Sequence, residues 1–160
     1  MFKRNSDPPY FIRKIQVKKS RISKAGMGVF ATGNIKKHEI FERSPVITFH
    51  KQIIKDFQGL HGSKHVLSDY LFDWKDGLNA IALGHGSMYN HANNGDGRNA
   101  SFRLKYDKVY PAIEFFAIQD IAPEDEILIH YACGDADLVF GNNGSVCVDE
   151  NIKKTKKGIN

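Results

Sequence analysis

The sequence has 160 residues, which suits one domain, and its 41% hydrophobic and 26% charged residues are typical of a globular chain with a core. Its N-terminus is too polar for a secretory signal, no apolar run approaches the ~18 residues of a membrane-spanning helix, and two cysteines are too few for a disulfide framework, so we expect a reduced intracellular compartment and no membrane. The net charge of +5 is unevenly spread: segments 1–24 and 151–160 are basic, whereas nine acids and no lysine or arginine lie between Lys108 and Lys153.

The first half of the chain predicts a flexible basic arm, three strands and one helical region. We expect the arm at residues 1–13. Ile15–Lys19 alternates apolar and polar residues as an edge strand does, and Gly28–Ala31 and Glu39–Phe49 are also predicted to be strands. Helix-like spacing of apolar residues makes 50–72 the best helical segment.

The second half of the chain predicts short strands joined by loops. Residues 84–99 are rich in glycine and asparagine without periodicity, which predicts a loop, and the chain after Gly134 is expected to be turn-rich and polar. The predicted strands are Leu78–Leu83, Phe102–Tyr106, Ala112–Ile118 and Ile127–Tyr131. Together these segments predict one mostly β domain with little helix.

A glycine pair near the start, Gly26-Met27-Gly28, fits the dinucleotide-binding fingerprint only superficially. That motif works between a strand and a helix, and the β-branched, aromatic and glycine-broken residues that follow here do not predict a helix. Two glycines still let the backbone approach a ligand closely, although a tight turn or bulge would use them equally well.

Two further segments carry polar side chains that could serve chemistry. The loop at 87–94 could contact a ligand or form an Asx-turn cluster, and no cysteine or carboxylate nearby completes a metal site with its histidines, so no metal is predicted. The strand that follows Glu124 ends in Tyr131, which could be a functional hydroxyl or a half-buried core residue.

The order and spacing of these motifs closely resemble those of the SET-domain protein lysine methyltransferases. The shared motifs are G-M-G at 26–28, Y-L-F-D at 70–73, N-H at 90–91 and the segment 120–131. The likeness is greatest to the minimal stand-alone SET enzymes of large DNA viruses, because the run A-I-A-L-G at 80–84 leads into Y-N-H at 89–91 much as theirs does. It covers the chain from about Lys14 to Gly134.

The resemblance implies a fold of small curved β-sheets with a threaded, pseudoknot-like C-terminal segment. It places the SET domain at 14–134 and leaves 135–160 as a C-terminal segment with a basic tail. The implied cofactor is S-adenosylmethionine, and the substrate lysine enters a channel from the opposite face.

The resemblance also implies roles for individual residues, with Tyr131 as the catalytic tyrosine. It gives cofactor contacts to Gly26, Met27, Gly28, Tyr70, Asn90 and His91, and substrate contacts to Phe72, Phe102 and Ile129. Ile129 stands where the family carries a Phe or Tyr that tunes how many methyl groups are added, so we expect di- or trimethylation.

The implied substrate is a histone tail or another basic protein, and a SET-fold module that binds such a tail without catalysis is the alternative. We expect the acidic stretch 109–150 to steer a basic peptide and the basic ends to contact nucleosomal DNA phosphate. A homodimer is compatible with the sequence, and the nucleus, including that of a host cell, is the expected location.

Overall fold

The computed structural model describes residues 8–61, 66–92, 97–131, 137–141 and 144–148. Its helices are α1 (Lys51–His61) and a 3₁₀ helix (Val66–Tyr70), and no helix among these residues is long and apolar enough to cross a membrane. Its strands are β1 (Phe11–Ile12), β2 (Ile15–Lys19), β3 (Met27–Ala31), β4 (Ile40–His50), β5 (Leu71–Asp73), β6 (Leu78–Ala82), β7 (Asn90–His91), β8 (Ala100–Lys105), β9 (Ala112–Ala117), β10 (Leu128–Ile129), β11 (Asp137–Gly141) and β12 (Gly144–Val148). The prediction of a mostly β fold is confirmed.

The largest sheet is antiparallel and has the strand order β5-β6-β4-β9-β8, with β1 paired to β4. β4 is long because it changes partner midway: residues up to Pro45 pair with β9, and residues from Val46 pair with β6. Pro45, which has no N–H to donate, stands where the first ladder ends. This change of partner bends the sheet, and β2 and β3 form a separate antiparallel pair.

Two predicted segments are organised differently from the expectation. The segment expected to be a flexible arm ends in β1, where Phe11 lies opposite Arg43. The helical segment predicted at 50–72 holds only in part, because α1 ends at His61 and Leu71–Asp73 forms β5. The pairing of β5 with β6 is a tertiary contact, which outweighs the local helical spacing.

The C-terminal part of the domain is threaded between β3 and β7. On one side the N–H of Ile127 donates to the carbonyl of Val29 over 2.7 Å, and on the other β10 pairs in parallel with β7. The loop predicted at 84–99 is therefore wrong at Asn90–His91, which form a strand. Their partner is far along the sequence, so no local pattern indicates the pairing.

The end of the described chain is a β-hairpin, where a turn-rich segment was predicted. β11 and β12 pair in antiparallel register from Asp137 opposite Val148 to Gly141 opposite Gly144. The two strands contain the β-branched and aromatic residues Val139, Phe140, Val146 and Val148, which favour extended structure. The basic tail at 151–160 and residues 1–7 lie outside the described residues.

Three carboxylates are buried together with the apolar core. Glu42 is 0%, Glu114 is 1% and Glu126 is 7% exposed. A carboxylate taken out of water is tolerated only when hydrogen bonds replace its hydration, so the partners of each one mark places where the fold is tightly specified. The core beside them is formed chiefly by Val29, Ile35, Phe41, Tyr89, Ile113, Phe115, Ile127 and Ile129.

Candidate active site

The glycine pair opens β3, and its two glycines serve different purposes. Gly26 has a φ of +76°, a left-handed conformation that favours glycine, and a side chain added there would meet no atom within 4 Å. Gly28 is packed instead: a Cβ at that position would lie 2.2 Å from Oε1 of Glu126 and 2.9 Å from Nδ2 of Asn90. Met27 between them is 49% exposed. The space beside the backbone is therefore free at Gly26 and filled by neighbouring side chains at Gly28.

Asn90 joins the threaded segment to β3. Its Nδ2 donates to the carbonyl of Met27 over 3.0 Å and to Oε1 of Glu126 over 2.9 Å. Both amide protons are thus used, and the side chain is 5% exposed. The glycine strand and the N-H motif, which are far apart in the sequence, therefore form one rigid unit.

Glu126 is the centre of this unit, whereas the sequence placed it only in the acidic stretch expected to steer a basic peptide. Its carboxylate accepts from Oγ of Ser20 over 2.7 Å, from the backbone N–H of Arg21 over 2.9 Å and from Asn90. These donors are all neutral. Glu126 fits against β3 only because Gly28 has no side chain, so the glycine is required by packing as well as by any ligand.

His91 connects the unit to Tyr131. Its Nδ1 accepts the backbone N–H of Tyr131 over 2.8 Å, so a neutral ring carries its proton on Nε2. The His91 ring also lies 5.2 Å from the Tyr131 ring and 5.0 Å from the ring of His130. The hydrogen bond to Nδ1 fixes the orientation of the His91 ring. The described residues contain no group of three metal-ligating side chains that could hold an ion.

The hydroxyl of Tyr131 is held in one orientation. It donates to the carbonyl of Tyr89 over 2.5 Å. Burial raises the pKa of the Tyr131 hydroxyl above its usual range, and the nearby Tyr70 and Asp69 add to the rise. The group therefore stays protonated, and because its proton points to Tyr89, its oxygen can accept a hydrogen bond from a ligand.

The residues predicted to line the lysine channel lie in two places. Phe72 and Phe102 pack edge to face with ring centroids 5.0 Å apart, and both also approach Phe115 at 6.1 Å. Ile129 is 1% exposed on β10 and belongs to the apolar core. Tyr70 is 44% exposed at the end of the 3₁₀ helix. The structure therefore brings Phe72 and Phe102 into contact with each other, whereas the side chain of Ile129 is buried in the apolar core.

The acidic stretch does not form a free acidic face over the residues the structure describes. Glu114 is clasped by Arg43 and Arg103, Asp120 pairs with Lys36 at 2.8 Å, and Glu124 pairs with Lys18 at 2.5 Å. Asp125 and Glu126 accept backbone or side-chain hydrogen bonds within the domain. These five acids have partners within the domain, and the steering of a basic peptide by the whole stretch stays a prediction.

Comparison with known proteins identifies relatives of this arrangement. A profile of the SET domain matches residues 26–132. A curated relative from Schizosaccharomyces pombe, the histone-lysine N-methyltransferase specific for H3 lysine-37, is 33% identical over 106 residues, which cover 66% of this chain and 66% of the relative. The chain therefore spans about two thirds of the length of the curated relative it matches.

Solved structures share the fold as well. A proposed histone methyltransferase from Plasmodium falciparum aligns with a TM-score of 0.61 and 31% identity, covering 76% of this chain and 96% of that one. The Polycomb Repressive Complex 2 of Chaetomium thermophilum, in an autoinhibited conformation bound to S-adenosylmethionine, aligns with a TM-score of 0.64 and 19% identity over 92% of this chain and 17% of that one. At that identity the second match shows a common fold alone.

Proposed function

Because the chain belongs to the SET-domain family, we propose that it is an S-adenosylmethionine-dependent protein lysine N-methyltransferase acting on a histone tail. The observation that supports this most is the orientation of Tyr131. Its buried hydroxyl donates to the Tyr89 carbonyl beside the Asn90–His91 pair, at the end of the threaded strand. A protonated hydroxyl with a free acceptor side suits the alignment of an amine.

The residues around β3 fit the cofactor. The space beside Gly26 is open and Met27 is exposed, so an elongated ligand can lie along this backbone. Glu126 brings a negative charge to the same place and is bonded to neutral donors, which favours a ligand that carries a positive charge. We therefore assign the cofactor contacts to Gly26, Met27, Gly28, Asn90 and His91, with Tyr70 completing the site.

The proposed mechanism uses alignment more than acid–base chemistry. When bound, S-adenosylmethionine supplies a methyl group on a sulfonium sulfur for in-line transfer to a neutral lysine amine. The Tyr131 oxygen accepts a hydrogen bond from the amine or a weak C–H contact from the methyl group. Because the pKa of Tyr131 is raised, its hydroxyl orients the amine and does not deprotonate it.

The channel walls are assigned the lowering of the substrate lysine pKa, so that its proton is lost to water before methyl transfer. A free lysine has a pKa near ~10.4, so most of it is charged at neutral pH. We assign Phe72 and Phe102 to the channel, where their apolar rings disfavour the ammonium form and lower the lysine pKa. The same apolar rings can also pack against the alkyl chain of the lysine.

The proposed substrate is the tail of histone H3, because the curated relative acts on a lysine of that protein. Another basic protein is the competing substrate class. Both contain an exposed lysine in a flexible basic segment, so the position of the lysine must be found by experiment. Recognition of the tail through the acidic stretch is not part of the proposal, since Glu114, Asp120 and Glu124 form ion pairs within the domain.

The proposed methylation state is di- or trimethylation. The resemblance puts Ile129 at the position that tunes the number of methyl groups, and this buried side chain has no hydroxyl to hold a water there. Intact-mass analysis of a peptide product after exhaustive reaction reads the number of methyl groups directly. Products that stop at one methyl group at long times would contradict this part of the proposal.

Several finer assignments complete the proposal. The likeness to minimal viral SET enzymes rests on the sequence around Tyr89, and a nuclear location follows from a chromatin substrate. We also propose domain limits at 14–134, with the remaining segments at the ends available for DNA phosphate, and a homodimer as an assembly to test.

The test is incubation of the full chain with methyl-labelled S-adenosylmethionine and core histones. We expect label on one histone, lost with Tyr131→Phe although that variant still binds the cofactor. Tyr110→Phe, which removes a hydroxyl from an exposed tyrosine, is the matched control and should retain labelling. Cofactor binding without any labelling would favour a non-catalytic SET module, and the absence of cofactor binding would overturn the proposed function.

A further inference from the structure

We propose that Glu42 and the side chain of Tyr89 are positioning residues that hold the Tyr89 carbonyl in place for the Tyr131 hydroxyl. Neither residue belongs to the cofactor or channel set described above, and the inference rests on the proposed function. Its structural basis is a continuous chain of contacts from a buried carboxylate in β4 to the hydroxyl of the catalytic tyrosine.

The first part of this chain is the anchoring of the Tyr89 ring. Its hydroxyl donates to Oε2 of Glu42 over 2.5 Å, and the residue is 1% exposed. The ring lies 5.9 Å from that of Phe41 and 4.7 Å from that of Phe115. Burial and the neighbouring Glu42 raise the pKa of the Tyr89 hydroxyl, so it remains a donor. Both ends of this side chain are thereby fixed.

The second part is the fixing of Glu42 itself. Its Oε1 accepts from Oγ of Ser44 and from the backbone N–H of His85 over 3.0 Å. Gly84, with a φ of +85°, brings the chain close to this oxygen, because a Cβ there would lie 2.9 Å from it. The carboxylate therefore ties β4 to both ends of the segment 84–89.

The third part is the link to the reacting groups. Tyr89 immediately precedes Asn90, the first residue of β7, and its carbonyl accepts the hydroxyl of Tyr131 over 2.5 Å. A carbonyl that shifts takes the Tyr131 hydroxyl with it or leaves it without an acceptor. Since in-line transfer depends on alignment at the sub-ångström to ångström scale, the anchor of Tyr89 acts on the reaction through Tyr131.

The test compares Tyr89→Phe with Ser44→Ala. Both remove one hydroxyl that donates to the buried carboxylate of Glu42, but only the first releases Tyr89. We expect Tyr89→Phe to lower kcat by about tenfold with little change in KM for the cofactor or a histone peptide, as an ångström-scale misalignment would. Ser44→Ala should stay within about twofold of wild type in kcat, because the backbone N–H of His85 still holds the same oxygen of Glu42. Equal losses of kcat in both variants would mean that the carboxylate acts through stability alone, and would overturn the proposal.

A readout that needs no turnover separates this inference from the proposed function. With fluorotyrosine incorporated throughout, the ¹⁹F resonance of Tyr131 is identified by its loss in Tyr131→Phe. Tyr89→Phe should shift or broaden that resonance, and Ser44→Ala should leave it in place. An unchanged Tyr131 resonance in Tyr89→Phe would overturn the positioning role even if the protein methylates histones, and a shifted resonance would support it even if the histone substrate proves wrong.

Discussion

Two buried carboxylates, Glu126 beside the active site and Glu114 on the sheet, are satisfied in opposite ways. Glu126 accepts hydrogen bonds from neutral groups: a serine hydroxyl, a backbone N–H and an amide. Glu114 is clasped by Arg43 and Arg103. Burial by itself raises the pKa of Glu114, but hydrogen bonds from Arg103 and Arg43 outweigh it and lower the pKa. One carboxylate is hydrogen-bonded to uncharged groups, and the charge of the other is balanced by two arginines across three strands.

This difference separates a group that organises a site from one that organises a sheet. One partner of Glu126, Asn90, belongs to the proposed cofactor pocket, and the other two, Ser20 and Arg21, lie just before the glycine pair in the sequence. The partners of Glu114 lie on the adjacent strands β4 and β8, where they cross-link the ladder. Removal of each carboxylate should therefore affect different measurements.

The largest expected effect is the loss of cofactor affinity in Glu126→Ala. Removal of the carboxylate releases Asn90 and the backbone of β3, so we expect the Kd for S-adenosylmethionine to rise about a hundredfold, corresponding to about 2.8 kcal/mol. Isothermal titration calorimetry measures this. Glu114→Ala is the matched control and should leave the Kd within about twofold. A cofactor affinity that is equally reduced in both variants would erase the distinction between the two regions.

The next largest effect is a smaller loss of cofactor affinity in Gly28→Ala. The added Cβ would lie 2.2 Å from Oε1 of Glu126, so the carboxylate must move away from Asn90. We expect the Kd for the cofactor to rise about tenfold, corresponding to about 1.4 kcal/mol. Gly33→Ala is the control, because its Cβ would come no closer than 3.9 Å to another side chain. Unchanged affinity in Gly28→Ala would argue against the packing role of the glycine.

A third effect concerns the pH dependence of stability. Because the folded-state pKa of Glu114 is lowered, its stabilisation is present above the ordinary carboxyl pKa and is lost as the pH falls through the folded-state value. Glu114→Gln should lower the free energy of unfolding by about 1–2 kcal/mol at neutral pH. Urea titrations at several pH values should show the gap between wild type and variant narrowing in acid. A gap that stays constant down to strongly acidic pH would contradict the assignment.

The smallest effect is expected at the surface pair of Lys18 and Glu124. Their side chains are 37% and 60% exposed, so water screens the interaction. Lys18→Ala should change the free energy of unfolding by less than about 1 kcal/mol. A larger change, measured by the same urea titration, would mean that the acidic stretch contributes to stability at its surface as well as at its buried members.

The sequence was most informative where a pattern is local. The alternation in Ile15–Lys19 and the β-rich composition of Ala112–Ile118 predicted strands that the structure contains almost residue for residue. The parallel pairing of β7 with β10 was not predictable, because a two-residue strand has no periodicity and its partner is distant. Family resemblance supplied the threading that local patterns lacked.

The site was predictable in its residue types and not in its connections. Gly28 was singled out as a place for ligand approach, whereas the structure shows that its missing side chain also accommodates Glu126. Glu126 looked like one more acid in a charged run, since burial depends on neighbours from other segments. Glu42 and Tyr89 were missed for the same reason, because their contact joins β4 to the residue just before β7, which is far along the sequence.

The most direct test of the account is a crystal structure of the chain with S-adenosylhomocysteine and a lysine peptide from histone H3. We predict that the cofactor product lies along Gly26–Gly28 and beside His91, with its sulfur facing the Tyr131 hydroxyl. The lysine nitrogen should reach the same hydroxyl from the side of Phe72 and Phe102. A cofactor product bound elsewhere, or a lysine that does not approach Tyr131, would contradict the account.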